Sequence, residues 1–106
     1  MMDSFAPQDP TAADRAVALL KSLSHVGRLR ILCSLLQRDM TVGELCTTLG
    51  ETQAGISQQL MRLRAEGLVQ ALRSGKHVTY RLDREDVVPL IAALRAAFCA
   101  PDVQTC

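Results

Sequence analysis

Aromatic residues are nearly missing from this chain of 106 residues, which has no tryptophan, one tyrosine (Tyr80) and two phenylalanines (Phe5 and Phe98). That excludes an aromatic-rich β-sandwich. With 48% of the residues hydrophobic, the core must be Leu, Val, Ile and Ala packed between helices. No apolar run approaches the roughly 20 residues that span a bilayer. The opening segment MMDSFAPQDP is acidic and poor in apolar residues, so it is not expected to be a signal peptide and a cytoplasmic location is expected. The four cysteines, at 33, 46, 99 and 106, show no CxxC or CxxxC spacing. This excludes the usual zinc ribbon and, in the cytoplasm, argues against structural disulfides. Buried apolar thiols or reactive thiols remain. A large net charge is also lacking, the formal value being +1.

Charge distribution is more informative than that sum. From Gln53 to Arg84 there are six basic residues (Arg62, Arg64, Arg73, Lys76, Arg81, Arg84) against Glu66 and Asp83, a local charge of +4, while the remainder has six basic against nine acidic, −3. Such a concentration suits a nucleic-acid partner.

The basic region begins inside the stretch TVGELCTTLGETQAGISQQLMRLRAEG, from Thr41 to Gly67. Thr41 and Glu44 have capping-box spacing and open a short helix with Val42, Leu45 and Leu49 as its stripe. Gly50 breaks the period, and Thr52 is placed to cap a second helix carrying Ile56, Leu60 and Leu63 at i, i+4 and i+7. Gly67 stands where a left-handed cap is expected. Two helices joined by about three residues form a helix-turn-helix. Gln58 and Arg62 point away from the second stripe, with Ser57 and Gln53 on the flank, and between Thr52 and Met61 there is no charge. Taken alone this is either a solvated polar face or one suited to base edges and phosphates. The preceding helix and the following hairpin favour the second reading.

That hairpin is LVQALRSGKHVTYRL, with two strand-like runs around Ser74-Gly75-Lys76. Val78, Tyr80 and Leu82 share one face of the return strand; His77, Thr79 and Arg81 take the other. A hairpin directly after a recognition helix is a wing. Its basic tip, with Arg73, Lys76 and His77, can reach the sugar-phosphate backbone, although His77 is equally well read as a solvated strand residue.

Three further helices are expected. The first runs from about Ala12 to Ser22, capped by Thr11, with Ala13, Ala16, Val17, Leu20 and Leu23 on one face. The second runs from about Val26 to Gln37 and has Leu29, Ile31, Leu32, Cys33, Leu35 and Leu36 most of the way round, which marks the central core helix. The last begins near Glu85 or Asp86, tolerates Pro89 only in its first turn and reaches about Phe98. Its stripe of Val87, Leu90, Ile91, Leu94 and Phe98 is too apolar to leave in water. Together with the first helix it predicts a helix-helix homodimer, able to present two recognition helices to an inverted repeat in double-stranded DNA. The domain organisation is then a flexible arm over 1–10, one winged helix-turn-helix domain over 11–99 and a tail over 100–106. The fold class is mainly α with a β-hairpin wing, in the order ααααββα.

LKSLSHVGRLRILCSLL, VGELCTTLG, QAGISQQLMRLRAEGLV and SGKHVTYRL together resemble the ArsR/SmtB family of winged-helix repressors, over about Ala16 to Cys99. The resemblance implies a homodimer that binds operator DNA and releases it when an inducer binds. It assigns Gln53, Ser57, Gln58, Gln59 and Arg62 to the recognition helix and the region from Arg73 to Arg81 to the wing. The arsenic-type pair, ELCxC, is broken here, since Cys46 fills its first position and Thr48 its second. The zinc-type site on the last helix lacks its histidines, only Asp86 being present, so no metal site or cofactor is expected. Cys33 in LRILCSLL and Cys99 in AAFCA resemble the dithiol of the BigR and SqrR subgroup, which implies a sensor of persulfides and polysulfides. Cys46 and Cys106 are then silent. A thiophilic metal or metalloid held by noncontiguous cysteines is the alternative inducer. A thiol enzyme ranks third, because neither cysteine lies in a glycine-rich turn and neither His25 nor His77 is paired with one.

Overall fold

The computed structural model describes residues 10–98. The expected arm and tail, Cys99 and Cys106 therefore lie outside the described residues, apart from the arm's last residue. Seven elements follow in order: α1 (Ala12–Leu23), α2 (Val26–Gln37), α3 (Val42–Leu49), α4 (Gln53–Ala65), β1 (Val69–Ser74), β2 (His77–Leu82) and α5 (Val87–Phe98). This is the expected ααααββα order. No helix among the described residues is long and apolar enough to cross a membrane.

α2 forms the centre because its apolar residues surround it. Ile31, Leu32, Cys33 and Leu35 are buried, while Leu29 and Leu36 are half-buried against the same cluster. Its start is capped by the His25 ring, whose Nδ1 accepts from the amides of Gly27 (3.1 Å) and Arg28 (3.4 Å). Buried Ser34 loses no hydrogen bond, since its hydroxyl donates to the Arg30 carbonyl one turn back at 3.0 Å. α1, α3, α4, α5 and β2 all pack on this helix.

α1 departs from expectation in two ways. Thr11 has a helical backbone (φ −94°, ψ −3°) and its side chain makes no capping bond, because a cap needs the extended conformation that aims the hydroxyl at the next amides. The inward stripe is Ala12, Ala16, Leu19 and Leu23, whereas Val17 (49%) and Leu20 (55%) are exposed. α1 thus has two apolar faces, and its own domain covers one of them.

The return from the wing to the core uses a contact between residues far apart in sequence. β1 and β2 pair antiparallel from Val69↔Leu82 to Ser74↔His77, leaving Gly75 and Lys76 as a two-residue turn. Gly75 has φ 62° and Lys76 is not in the positive-φ region, the pattern of a type II′ turn. Beyond the hairpin, the amide of Met40 donates to the Tyr80 carbonyl (3.1 Å) and the amide of Tyr80 to the Met40 carbonyl (2.8 Å). The wing is therefore tied to the segment leaving α2. α5 begins at Val87, directly after the expected start near Glu85 or Asp86, and in the preceding turn the Arg84 guanidinium donates to the Asp86 carboxylate (Nε to Oδ1, 2.9 Å). Pro89 is then its third residue, within the first turn.

Candidate nucleic-acid interface and thiol site

Local capping fixes the orientation of the two central helices. Thr41 Oγ1 accepts from the Glu44 amide at 3.1 Å and the Glu44 carboxylate accepts from the Thr41 amide at 2.9 Å, so the expected capping box is complete. Those bonds, the largest with the Thr41 backbone and the next with Arg38, hold the Glu44 carboxyl below its ordinary pKa. α3 ends at Gly50, whose φ of 67° lets its amide and that of Glu51 reach the Cys46 carbonyl. Arg30 of α2 then donates to the Leu49 carbonyl at 3.3 Å. Thr52 caps α4 through the Gly55 amide at 3.0 Å. At the far end Leu68 N bonds Leu63 O (2.9 Å) and Gly67 N bonds Arg64 O (3.0 Å), a Schellman pattern around left-handed Gly67. The α3-turn-α4 unit is thus bonded at both ends of both helices.

With Ile56, Leu60 and Leu63 buried beneath it, α4 exposes Gln53, Ser57, Gln58 and Arg62. Gln59 does not join them. It is half-buried and faces back into a cavity of ≈ 290 Å³ lined also by His25, Gly27, Arg30 and Glu51, with its Oε1 buried and without a hydrogen-bond partner. On a helix the residue before Leu60 falls at the edge of the core stripe, and packing against α2 claims it. The large apolar side chain on the exposed face is one that sequence reasoning passed over: Met61 is 66% exposed. The period would have revealed it, since it lies on the same turn of the helix face as Ser57 and Gln58.

At the wing, Arg73, Lys76 and His77 are exposed around the turn. Arg81 is engaged elsewhere. Its Nη2 and Nε donate to Asp39 Oδ2 at 2.8 and 3.2 Å, and the hydrogen bonds to Asp39 hold the guanidinium pKa above its ordinary value. It fastens the base of the wing to the α2–α3 connection, while the tip residues have no such role.

Of the two expected sensing thiols, Cys33 is 2% exposed. Burial pushes its thiol pKa up, and the positive charge of Arg95 on α5 acts in the opposite direction. Cys99 lies outside the described residues. Cys46 is half-buried against the core. Among the described residues no group of three His, Cys, Asp or Glu side chains could hold a metal ion.

Two antiparallel strands hung behind a helix-turn-helix, with helices closing both ends, define a winged helix-turn-helix. Residues 25–71 match the family described as bacterial regulatory protein, arsR family. The chain is 43% identical, over 85% of its length and 77% of the relative's, to the biofilm growth-associated repressor of Agrobacterium fabrum. It belongs to the ArsR family of bacterial regulatory proteins. The crystal structure of the repressor BigR from Xylella fastidiosa superposes with TM-score 0.81 at 39% identity, covering 90% of this chain and 94% of that one. A homodimeric winged helix-turn-helix DNA-binding domain from Mycobacterium bovis superposes with TM-score 0.72 at 30% identity, covering 88% and 86%.

Proposed function

We infer that this regulator is a transcriptional repressor that binds an inverted-repeat operator as a homodimer and releases it when Cys33 and Cys99 react with a persulfide or polysulfide. The observation that carries the DNA-binding reading is the exposed face of α4. Gln53, Ser57, Gln58 and Arg62 offer donors and acceptors free of carboxylates, and the wing with its exposed basic tip follows α4 directly in the chain. Gln pairs bidentately with adenine, while Arg reaches guanine or phosphate. The relatives named as repressors support the sign of regulation. Val17 and Leu20 on α1 and Val88 (39%) and Phe98 (83%) on α5 are apolar and exposed in a single copy. A second copy packed on these helices would cover them, and a structural relative is itself homodimeric.

The inducer reading rests on Cys33 and its neighbour Arg95, because the helix that carries Arg95 runs on in sequence to Cys99. A buried thiol with a raised pKa is a poor first nucleophile, so Cys99 attacks and Cys33 resolves. In the first step the Cys99 thiolate takes the outer sulfur of R–S–SH, giving Cys99–S–SH and releasing RS⁻. In the second the Cys33 thiolate attacks the Cys99 sulfur, forming the Cys33–Cys99 disulfide and releasing HS⁻. When Cys99–S–S⁻ first takes the outer sulfur of a second R–S–SH and releases RS⁻, attack by Cys33 on the middle sulfur of Cys99–S–S–SH releases HS⁻ and leaves a trisulfide bridge. Such a link joins the core helix to the helix that supports the dimer, which changes the spacing of the two α4 helices.

Reduced protein treated with an organic persulfide should yield a Cys33–Cys99 peptide by mass mapping and lose affinity for its DNA. Cys33→Ser should bind the same DNA normally and remain bound after treatment. A Cys33→Ser protein that releases DNA like the wild type rules the mechanism out.

A further inference from the structure

We propose that Met61 is a specificity-determining residue that reads thymine methyl groups in the major groove; this rests on α4 being the helix that enters DNA. Methionine carries a long apolar side chain, and leaving 66% of it in water at the middle of an otherwise polar face gives the fold nothing. Beneath it the core is already closed by Ile56, Leu60 and Leu63, exposed by 2%, 1% and 0%. Met61 makes no contribution there.

Its neighbours define what it can meet. Ser57 and Gln58 precede it by four and three residues, so all three side chains share one patch of the helix surface. On its other side an open groove of ≈ 460 Å³ runs between α4 and the wing, lined by Ser57, Met61, Arg64, Ala65 and Tyr80. No acidic residue occurs anywhere in α4, and Arg62 and Arg64 are its only charges. A protein partner would favour a contiguous apolar patch of a few hundred Å²; here Met61, with only Ala65 and half-buried Tyr80 beside it in the groove, is set among Ser, Gln and Arg. Duplex DNA fits that surface. Its phosphates answer the arginines, its base edges answer Ser57 and Gln58, and its only apolar feature in the major groove is the C5-methyl of thymine. The pairing gives discrimination where polar groups alone are permissive, because Ser hydrogen-bonds to any base whereas a thioether chain favours the methyl.

The test uses the full-length reduced protein and a duplex selected from a random pool by binding to it. Each thymine of that duplex is replaced in turn by uracil, which removes the methyl and leaves base pairing intact. For the wild type, one symmetry-related position should weaken binding about fourfold per half-site, the worth of one buried methyl group. For Met61→Ala, which changes an exposed residue and should melt at the wild-type temperature, the same replacement should have no effect. Met61→Leu should restore sensitivity. The proposal is overturned if uracil weakens both proteins equally at every position, or if no thymine is sensitive in the wild type. Failure to select any duplex would instead remove the DNA-binding reading itself, a separable outcome.

Discussion

The α3–α4 unit and the α1–α5 pair solve opposite problems. The first shows water a mostly polar surface over a sealed interior: Leu45, Leu49, Ile56, Leu60 and Leu63 are all buried and both helices are capped by their own side chains. The second has apolar residues on both sides, Leu19, Leu23, Val87 and Ile91 facing the domain while Val17, Leu20, Val88 and Phe98 face out. The α3–α4 unit is complete within one chain. The outer helices leave apolar residues in water, which the proposed homodimer would cover.

Four changes would break or sharpen that contrast. Leu20→Arg should cause the largest effect, leaving the monomer folded because the side chain is 55% exposed. Sedimentation should show the dimer dissociating, and operator affinity should fall by at least about a hundredfold as two linked half-sites become one. Leu60→Ala does the reverse, emptying a site beneath the reading face that is 1% exposed. Urea unfolding should report a loss of about 3 kcal/mol. Thr52→Ala removes the α4 cap and should cost about 1 kcal/mol in the same assay, with weaker DNA binding than the stability loss alone predicts. The smallest effect is expected from pH at Glu44. Its carboxyl pKa is lower in the folded protein, so the stabilisation is present above the unfolded pKa and is lost as the pH falls through the folded one. Glu44→Gln, which keeps a capping-box residue without the charge, should flatten that part of the acid unfolding profile.

The reactivity of the thiols can be ranked in the same way. Cys33 should be alkylated more slowly than Cys46 at neutral pH, and its rate should climb only above the ordinary thiol range, since burial raises its pKa. Peptide mapping after timed iodoacetamide treatment measures both.

Local signals were legible where they act over a few residues. Thr41 with Glu44, Thr52, Gly50 and Gly67 could be assigned from spacing because each bond they make spans three to five positions. The hairpin was equally clear, since a Ser-Gly-Lys break between alternating runs admits few structures. What sequence could not provide was partner choice. Arg81 and Asp39 are separated by 42 positions, and nothing at either one names the other. Gln59 sits at the boundary of a stripe, where the 3.6-residue period does not decide which neighbour claims it. On α1 the period found an apolar face but selected Val17 and Leu20, because a helix with two apolar sides gives the same pattern whichever of them its own domain covers. Thr11 had a capping residue's chemistry without the backbone angle that capping needs.

The two backbone hydrogen bonds between Met40 and Tyr80 give the wing the geometry of a lever. Its pivot lies at Tyr80, and three residues of extended strand from there to His77 give an arm of roughly 10 Å. A tilt of about 6° at the end of the core helix moves the turn by about 1 Å, enough to take a donor on Lys76 from hydrogen-bond distance to beyond it. A rotation that small at the pivot would thus be felt as a whole ångström at the turn.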